Sequence, residues 1–439
     1  MKKLNIQKIF CFLSFLFILS CCIFYGTRFL TLYLKNKKIE IEEKNSLVKV
    51  LREKNQENVN FKVVNGLNYF TNNDESNYLE YSNILWRIIK INSNNSITVI
   101  SNNSLTSLAY GKNLDYKNSK IYPWLNKTNN NYSGILENSL NKIDTYLEKT
   151  STCTDVLDEL TNTPCKEESN DNYLSLLSAT DYLNAGGKDS YLINKEYFYL
   201  SNTTSEKQIW YITDDGKASY GGGYDILGIR PVINIKANVD YISGDGTKDN
   251  PYKIEKEPGM FGGYVKLDNQ IWRIYQVNDT EVRLMLNDYL KINNNSLTRN
   301  YSNKTSYHDD TSKNSLAYYL NHDFLNTLSY KDKIKEVSWS NGYYNQTNDY
   351  DYTTSLDKTI NSKVALMSIG NIFLNNTLTN YATMTGQKDK GTTIYTIQAN
   401  KKLYPKSISI KLNIVPTINL DKSLLTKGNG NIDSPFEME

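Results

Sequence analysis

Histidine is nearly missing. His308 and His322 are the only two in 439 residues. Each has a carboxylate beside it (Asp309 and Asp310, and Asp323), which is raw material for a metal or acid–base site. No third imidazole exists and the first half of the chain has none, so both read as loop histidines. No His-Glu-x-x-His, Gly-x-Ser-x-Gly or phosphate-cradling glycine loop occurs. Gly221-Gly222-Gly223 lacks the lysine and helix that would follow in such a loop, and reads as a loop tip.

Cysteine is also scarce. Cys11, Cys21 and Cys22 lie in the apolar N-terminus, leaving Cys153 and Cys165 as the only pair in the rest. Two thiols with no nearby histidine are too few ligands for a metal. The pair reads as a structural disulfide, which requires an exported chain. Closing so short a loop stabilises by about 3 kcal/mol on the chain-entropy account. Charge of one sign is absent as well: 50 basic and 47 acidic residues give a net +3. That balance leaves no electrostatic footprint for nucleic acid.

A long hydrophobic run occurs once, from Ile9 to Tyr25, and resumes at Phe29–Leu34. Lys2, Lys3 and Lys8 precede it. The run is long enough for a signal anchor over residues 1–34, with the N-terminus cytoplasmic and the bulk extracellular on a single-pass cell-membrane protein. The alternatives are a cleaved signal peptide, or a lipoprotein through Ile18-Leu19-Ser20-Cys21. The apolar stretch after Cys21 argues against lipidation there. Residues 35–60 are polar and read as a stalk, with Leu47, Val48 and Leu51 as one short helical stripe.

Tyrosine is abundant at 35, a bias expected of an A/T-rich genome. From residue 61 short strands alternate with Asn-, Ser- and Gly-rich turns. Leu79–Tyr81, Leu85–Ile91 and Ser96–Ser101 read as a meander. Tyr132–Lys149 has apolar residues at helical spacing. Leu174–Leu177 reads as a strand, followed by a short helix capped by Ser178 and stopped at Gly186-Gly187. Asp214-Asp215-Gly216 is a hairpin turn.

The plan then repeats. Tyr78–Ile91, with Trp86-Arg87, returns as Tyr264–Val277, with Trp272-Arg273, at an offset of 186 residues. Pro231 and Pro416 are 185 apart, and Gly244 and Gly428, like Pro251 and Pro435, are 184 apart. The expected architecture is α+β: two tandem copies of a mixed, mainly antiparallel-sheet domain with short helices, at 61–256 and 259–439, each folding on its own core. Trp86, Trp272, Pro231 and Pro416 are the core markers of the repeat. The arginine after each tryptophan is expected to face outward by strand alternation.

A strand ending in Trp-Arg-Ile, a mid-domain Leu-Leu-Ser-Ala-Thr-Asp-Tyr, a late Arg-Pro-Val-Ile and a final Gly-Asp-Gly-Thr-Lys-Asp-Asn-Pro-Tyr together resemble an uncharacterised tandem-domain family of envelope proteins of low-GC Gram-positive bacteria. Such domains are in turn distantly similar to the C-type-lectin-like fold of formylglycine-generating enzymes. The resemblance implies a surface location and an α+β fold. It does not imply oxidase activity, because Cys153 and Cys165 precede the relevant segment and the second copy has no cysteine.

Binding surfaces are then the remaining question. Asp214-Asp215, and Asp245 with Asp249, could offer oxygen ligands to calcium, but each turn needs distant helpers and turn formation explains both. Neither a metal nor another cofactor is expected. Tyr343, Tyr344, Tyr350 and Tyr352, in an Asn/Asp-rich loop, are the candidate ligand contacts. The expected function is a non-enzymatic, membrane-anchored extracellular binding or adhesion module for a glycan or protein ligand. A structural part of a surface appendage or secretion assembly, and a diverged lectin-fold enzyme, are the alternatives.

Overall fold

The structure is a computed structural model and describes residues 24–28, 45–54, 61–71, 76–126, 136–166, 168–292, 295–301, 312–344, 359–387 and 392–438. Strands take 39% of it and helices 15%, so sheets dominate and the helices are short connectors.

The Trp86 strand organises the first sheet. Ile84–Ile91 pairs with Tyr78–Tyr81 at one end, with Leu67–Phe70 at the other, and with Ile97–Ser101 along its second edge. Ile97–Ser101 then pairs with Val232–Ile235, and that strand with Leu174–Ser175. Tyr252–Lys253 closes the sheet by lying parallel to Tyr78–Tyr81. A second sheet runs in the order Ala218–Gly221, Ile209–Ile212, Phe198–Thr203, Leu227–Ile229, Thr106–Leu108.

The same pairing plan recurs. Gln270–Val277 pairs with Tyr264–Leu267 and Glu281–Leu286, Pro416–Asp421 follows, then Val364–Leu366. Phe436–Met438 closes this sheet parallel to Tyr264–Leu267. Its companion sheet runs Pro405–Ser407, Thr393–Ile397, Tyr381–Gln387, Lys411–Asn413, Thr298–Asn300, with a parallel pair at the same place as in the first. The glycines of the closing turns have positive φ in both units: +98° and +88° at Gly244 and Gly246, +80° and +83° at Gly428 and Gly430. A Cβ on Gly244 would lie 2.0 Å from the Pro251 carbonyl oxygen, and one on Gly428 1.9 Å from that of Pro435. Only glycine fits there.

Trp86, Trp272, Pro231 and Pro416 are all buried. The arginines do not face solvent as expected. Arg87 is buried, its Nε donating to Asn77 Oδ1 at 2.5 Å and its guanidinium lying 3.9 Å and 4.6 Å from the Tyr78 and Tyr191 ring centres. The face expected to meet solvent is covered by the Tyr191 segment, so alternation selects a second buried layer. Arg273 points between the units, donating to Gly262 O at 2.6 Å and to Asn83 O at 3.2 Å.

Two boundaries also differ from expectation. Part of the segment read as a free stalk is folded onto the first unit. Leu47–Lys54 is a helix whose Leu47, Val48 and Leu51 are buried. Leu47 N donates to Val239 O at 2.9 Å, and Tyr241 N to Asn45 O at 2.8 Å. The stripe is amphipathic because it packs. Residues 35–44 and 55–60 lie outside the described residues. The buried residues of the two units form one continuous cluster rather than two separate cores. Phe373 N donates to Leu105 O, Tyr197 N to Asn400 O, and Leu403 N to Ile226 O, at 2.7, 2.8 and 3.0 Å. Trp124 Nε1 donates across the same boundary to Gly370 O at 2.8 Å.

Of the apolar N-terminus only 24–28 is described, as an exposed helical turn. Among the described residues no helix is long and apolar enough to cross a membrane. Cys11, Cys21 and Cys22 lie outside them. In the region read as helical from Tyr132 to Lys149, the described part holds two short turns, Glu137–Ser139 and Ile143–Tyr146, and then the strand Leu147–Glu148. The Ser178 cap is present, its hydroxyl accepting from Asp181 N at 3.0 Å at the start of Ala179–Asn184.

Candidate functional site

Concavities lie on each side of a disulfide-braced arm of the first unit. Cys153 and Cys165 are bonded, with Cα atoms 5.8 Å apart. The arm begins on the strand Thr150–Cys153, which pairs with Glu168–Asn172. Side chains of the second sheet then hold it. Asn202 Nδ2 donates to Asp155 O at 3.1 Å, Trp210 Nε1 to Leu157 O at 2.8 Å, and Ser205 Oγ to Asp158 Oδ1 at 2.6 Å. Thr180 Oγ1 donates to Thr163 O at 2.7 Å, fixing the opposite side.

On one side lies an open groove of roughly 1140 Å³. Lys112, Asp115, Glu206 and Gln208 bring charge and amide to it, and Val156 and Tyr224 bring half-exposed apolar surface. Ser201, buried beneath, presents a hydroxyl with no hydrogen-bond partner. Asp115 also caps the Tyr116–Asn118 turn by accepting from Asn118 N. The groove thus alternates donors, acceptors and an aromatic face.

On the other side is a narrower cleft of roughly 350 Å³. The hairpin of Phe61–Val64 and Leu67–Phe70, the Ala179–Asn184 helix and the arm enclose it over the strands of Lys90, Thr98 and Asn234. At its floor Lys90 Nζ and Tyr69 Oη both donate to Asp181 Oδ1, at 2.6 and 2.8 Å. Lys90 and Asp181 are each 15% exposed, so the pair is largely removed from water yet reachable from the cleft. Burial, then the Asp181 carboxylate, holds the Tyr69 phenol above its ordinary range. Tyr69 therefore remains a donor. Asn184 lines the same cleft, and its Oδ1 is buried without a partner.

This constellation is confined to the first unit. Lys90 follows a register shift in its strand, and Gln276 follows the corresponding shift in the second unit. Asn371 stands at the place of Asp181 in the second unit's Leu366-Met367-Ser368-Ile369-Gly370-Asn371. The hairpin that carries Tyr69 has no counterpart among the described residues of that unit. No pattern of motifs singles out Lys90, Tyr69 or Asn184. For Lys90 the signal is the exchange of charged for neutral residues between two otherwise parallel copies, and Tyr69 and Asn184 carry none.

Of the expected contact tyrosines, Tyr343 and Tyr344 are described. Tyr343–Tyr344 forms a short strand parallel to Gly386-Gln387. The half-buried Tyr343 ring packs where a Cβ on Gly386 would be 2.8 Å away, which is a packing role. Tyr350 and Tyr352 lie outside the described residues, as does His308. His322 is exposed and its ring stacks on Tyr318 at 4.0 Å. Asp215 binds Thr213 Oγ1 and Lys217 within its own hairpin. Asp245 Oδ1 accepts from Thr247 N and Oγ1. Both carboxylates serve their turns.

Arg230, just before the marker Pro231, is buried in the first unit's core. It donates to Ser101 O at 2.9 Å and to Leu192 O. Burial pushes its guanidinium down to about 10. Val415, equally buried, takes its place in the second unit.

No protein-family model, curated protein or solved structure matches the chain.

Proposed function

We propose that the chain is a non-enzymatic extracellular binding protein, held at the cell membrane by its N-terminal segment, and that its first unit binds a glycan in the open groove beside the disulfide arm. The observation that carries this reading is the lining of the groove. Amide, hydroxyl and charged side chains alternate there with the half-exposed ring of Tyr224. Sugars need both parts: hydroxyls that give and take hydrogen bonds, and a ring face that stacks on an aromatic. The sheet-rich unit is compatible with the distant lectin-like similarity of the sequence, and a disulfide suits an exported location. The membrane location rests on the apolar run and its leading lysines.

The test uses the full-length chain, purified in mild detergent, on a glycan array and on isolated cell-wall material. Saturable binding to glycan is expected, and Tyr224→Ala should weaken it about tenfold through loss of stacking. Binding only to protein, or release of sugar fragments during incubation, would replace this reading with a protein receptor or a hydrolase.

A further inference from the structure

We infer that the narrow cleft of the first unit is a separate site for a free α-amino acid, bound as its zwitterion. The floor of the cleft places a cation and an anion side by side, Lys90 Nζ and Asp181 Oδ1 at 2.6 Å. Both have capacity left over. Lys90 has three N–H groups, and Asp181 receives Lys90 and Tyr69 on the same oxygen, Oδ1. Its Oδ2 is thereby left to other donors. Asn184 adds a second acceptor, since it lines the cleft and its buried Oδ1 has no partner. Asp181 and Asn184 lie three residues apart on one short helix and both line the cleft, so the two acceptors share one helix face.

Two such acceptors beside a cation are complementary to an ammonium next to a carboxylate. An ammonium would donate to Asp181 Oδ2 and Asn184 Oδ1, and the carboxylate would accept from Lys90. The four charges then alternate around a ring, so each has opposite neighbours. A bare amine would leave Lys90 facing a like charge, and a bare acid would leave Asp181 doing so. The cleft volume of roughly 350 Å³ suits a small molecule rather than a polymer, and Leu67, Val232 and the disulfide leave an apolar margin for a side chain. The second unit, with Gln276 and Asn371, lacks both charges and serves as an internal control. This site does not depend on the groove across the arm.

Titration calorimetry on the full-length chain would use L-alanine and L-glutamine, with ethylamine, acetate and glucose as comparison ligands. An amino acid is expected to bind at one site per chain, and the comparison ligands at least tenfold more weakly. Asp181→Asn keeps the hydrogen bonds to Tyr69 and Lys90 and removes the charge, and should weaken binding tenfold or more. Asn184→Ala should weaken it severalfold, which gives a second reading if Asp181→Asn lowers the melting temperature. Tyr224→Ala should leave this binding unchanged. Absence of amino-acid binding at about 10 mM, near the weak limit of specific recognition, would overturn the proposal. So would amino-acid binding that survives both Asp181→Asn and Asn184→Ala unchanged.

Discussion

Glu255 sits where the first unit hands over to the second, and among the described residues its carboxyl is the one raised furthest above its ordinary range. Its Oε2 accepts from Ser82 N at 2.5 Å and its Oε1 from Asn141 Nδ2 at 2.8 Å. Burial nonetheless dominates and raises it from 4.5 to about 7. The folded state therefore prefers the protonated acid. Its contribution is fully present below pH 4.5 and disappears as pH rises through 7, a loss of about 3 kcal/mol by linkage. Denaturant titrations at pH 5 and pH 8 should show this loss, and Glu255→Gln should abolish most of it and be the more stable protein at pH 8. Arg230 makes a different prediction. Its side chain satisfies two buried carbonyls, so Arg230→Ala leaves them unpaired and should cost roughly 2–4 kcal/mol in urea unfolding. Neither role is readable in sequence. Arg230 could be seen to differ from Val415, but the partners that bury it, Ser101 and Leu192, are far away along the chain. Arg87 shows the same limit. Strand alternation gives two faces, and it does not say whether the second face meets water.

Among the elements, short-range chemistry was legible and long-range docking was not. Ser178 caps its helix and Asp214-Asp215-Gly216 turns its hairpin because side-chain and glycine geometry act within a few residues. The helix Leu47–Lys54 was visible as a stripe, yet its place on Val239 and Tyr241 depends on a surface two hundred residues away. Leu51→Ala should therefore cost about 2–4 kcal/mol, a buried-leucine value rather than a stalk value. Thermal or urea unfolding of the single mutant would measure it. The disulfide arm yields a second prediction. Replacing both cysteines by serine should cost about 3 kcal/mol from loop closure. The arm should stay docked, because Trp210, Asn202 and Ser205 hold it independently. Hydrogen exchange at Leu157 would show continued protection, since its amide donates to Thr203 O.

For the whole molecule, the repeated anchors announced two similar units, but not how closely they would join. The boundary is crossed by backbone bonds at Leu105, Ile226 and Asn400, and by the indole of Trp124. Lys401 reaches from the second unit into a position 1% exposed, and its ammonium has no hydrogen-bond partner there. Burial lowers its pKa, and the Glu196 carboxylate opposes that shift. Such a boundary predicts one cooperative transition rather than two. Proteolytic nicking between residues 256 and 259 should leave two fragments that co-purify under native conditions and separate in denaturant. Size-exclusion chromatography after limited digestion would check it. The candidate site followed the same rule as the fold. The cleft draws Tyr69, Lys90, Asp181 and Cys165 from distant segments, so it exists only once the sheet is assembled.

The parallel closing strands carry a consequence for the order in which the chain is made. Leu79 waits for Tyr252, and Val265 for Phe436. At 5–20 residues per second, each unit leaves the outer edge of that waiting strand bare for about 10–35 s. An open edge for that long is a template for pairing with another chain. Each unit is thus sealed only by its final residues, and a chain stopped short of Phe436 would emerge with its first unit closed and its second still able to recruit a stranger.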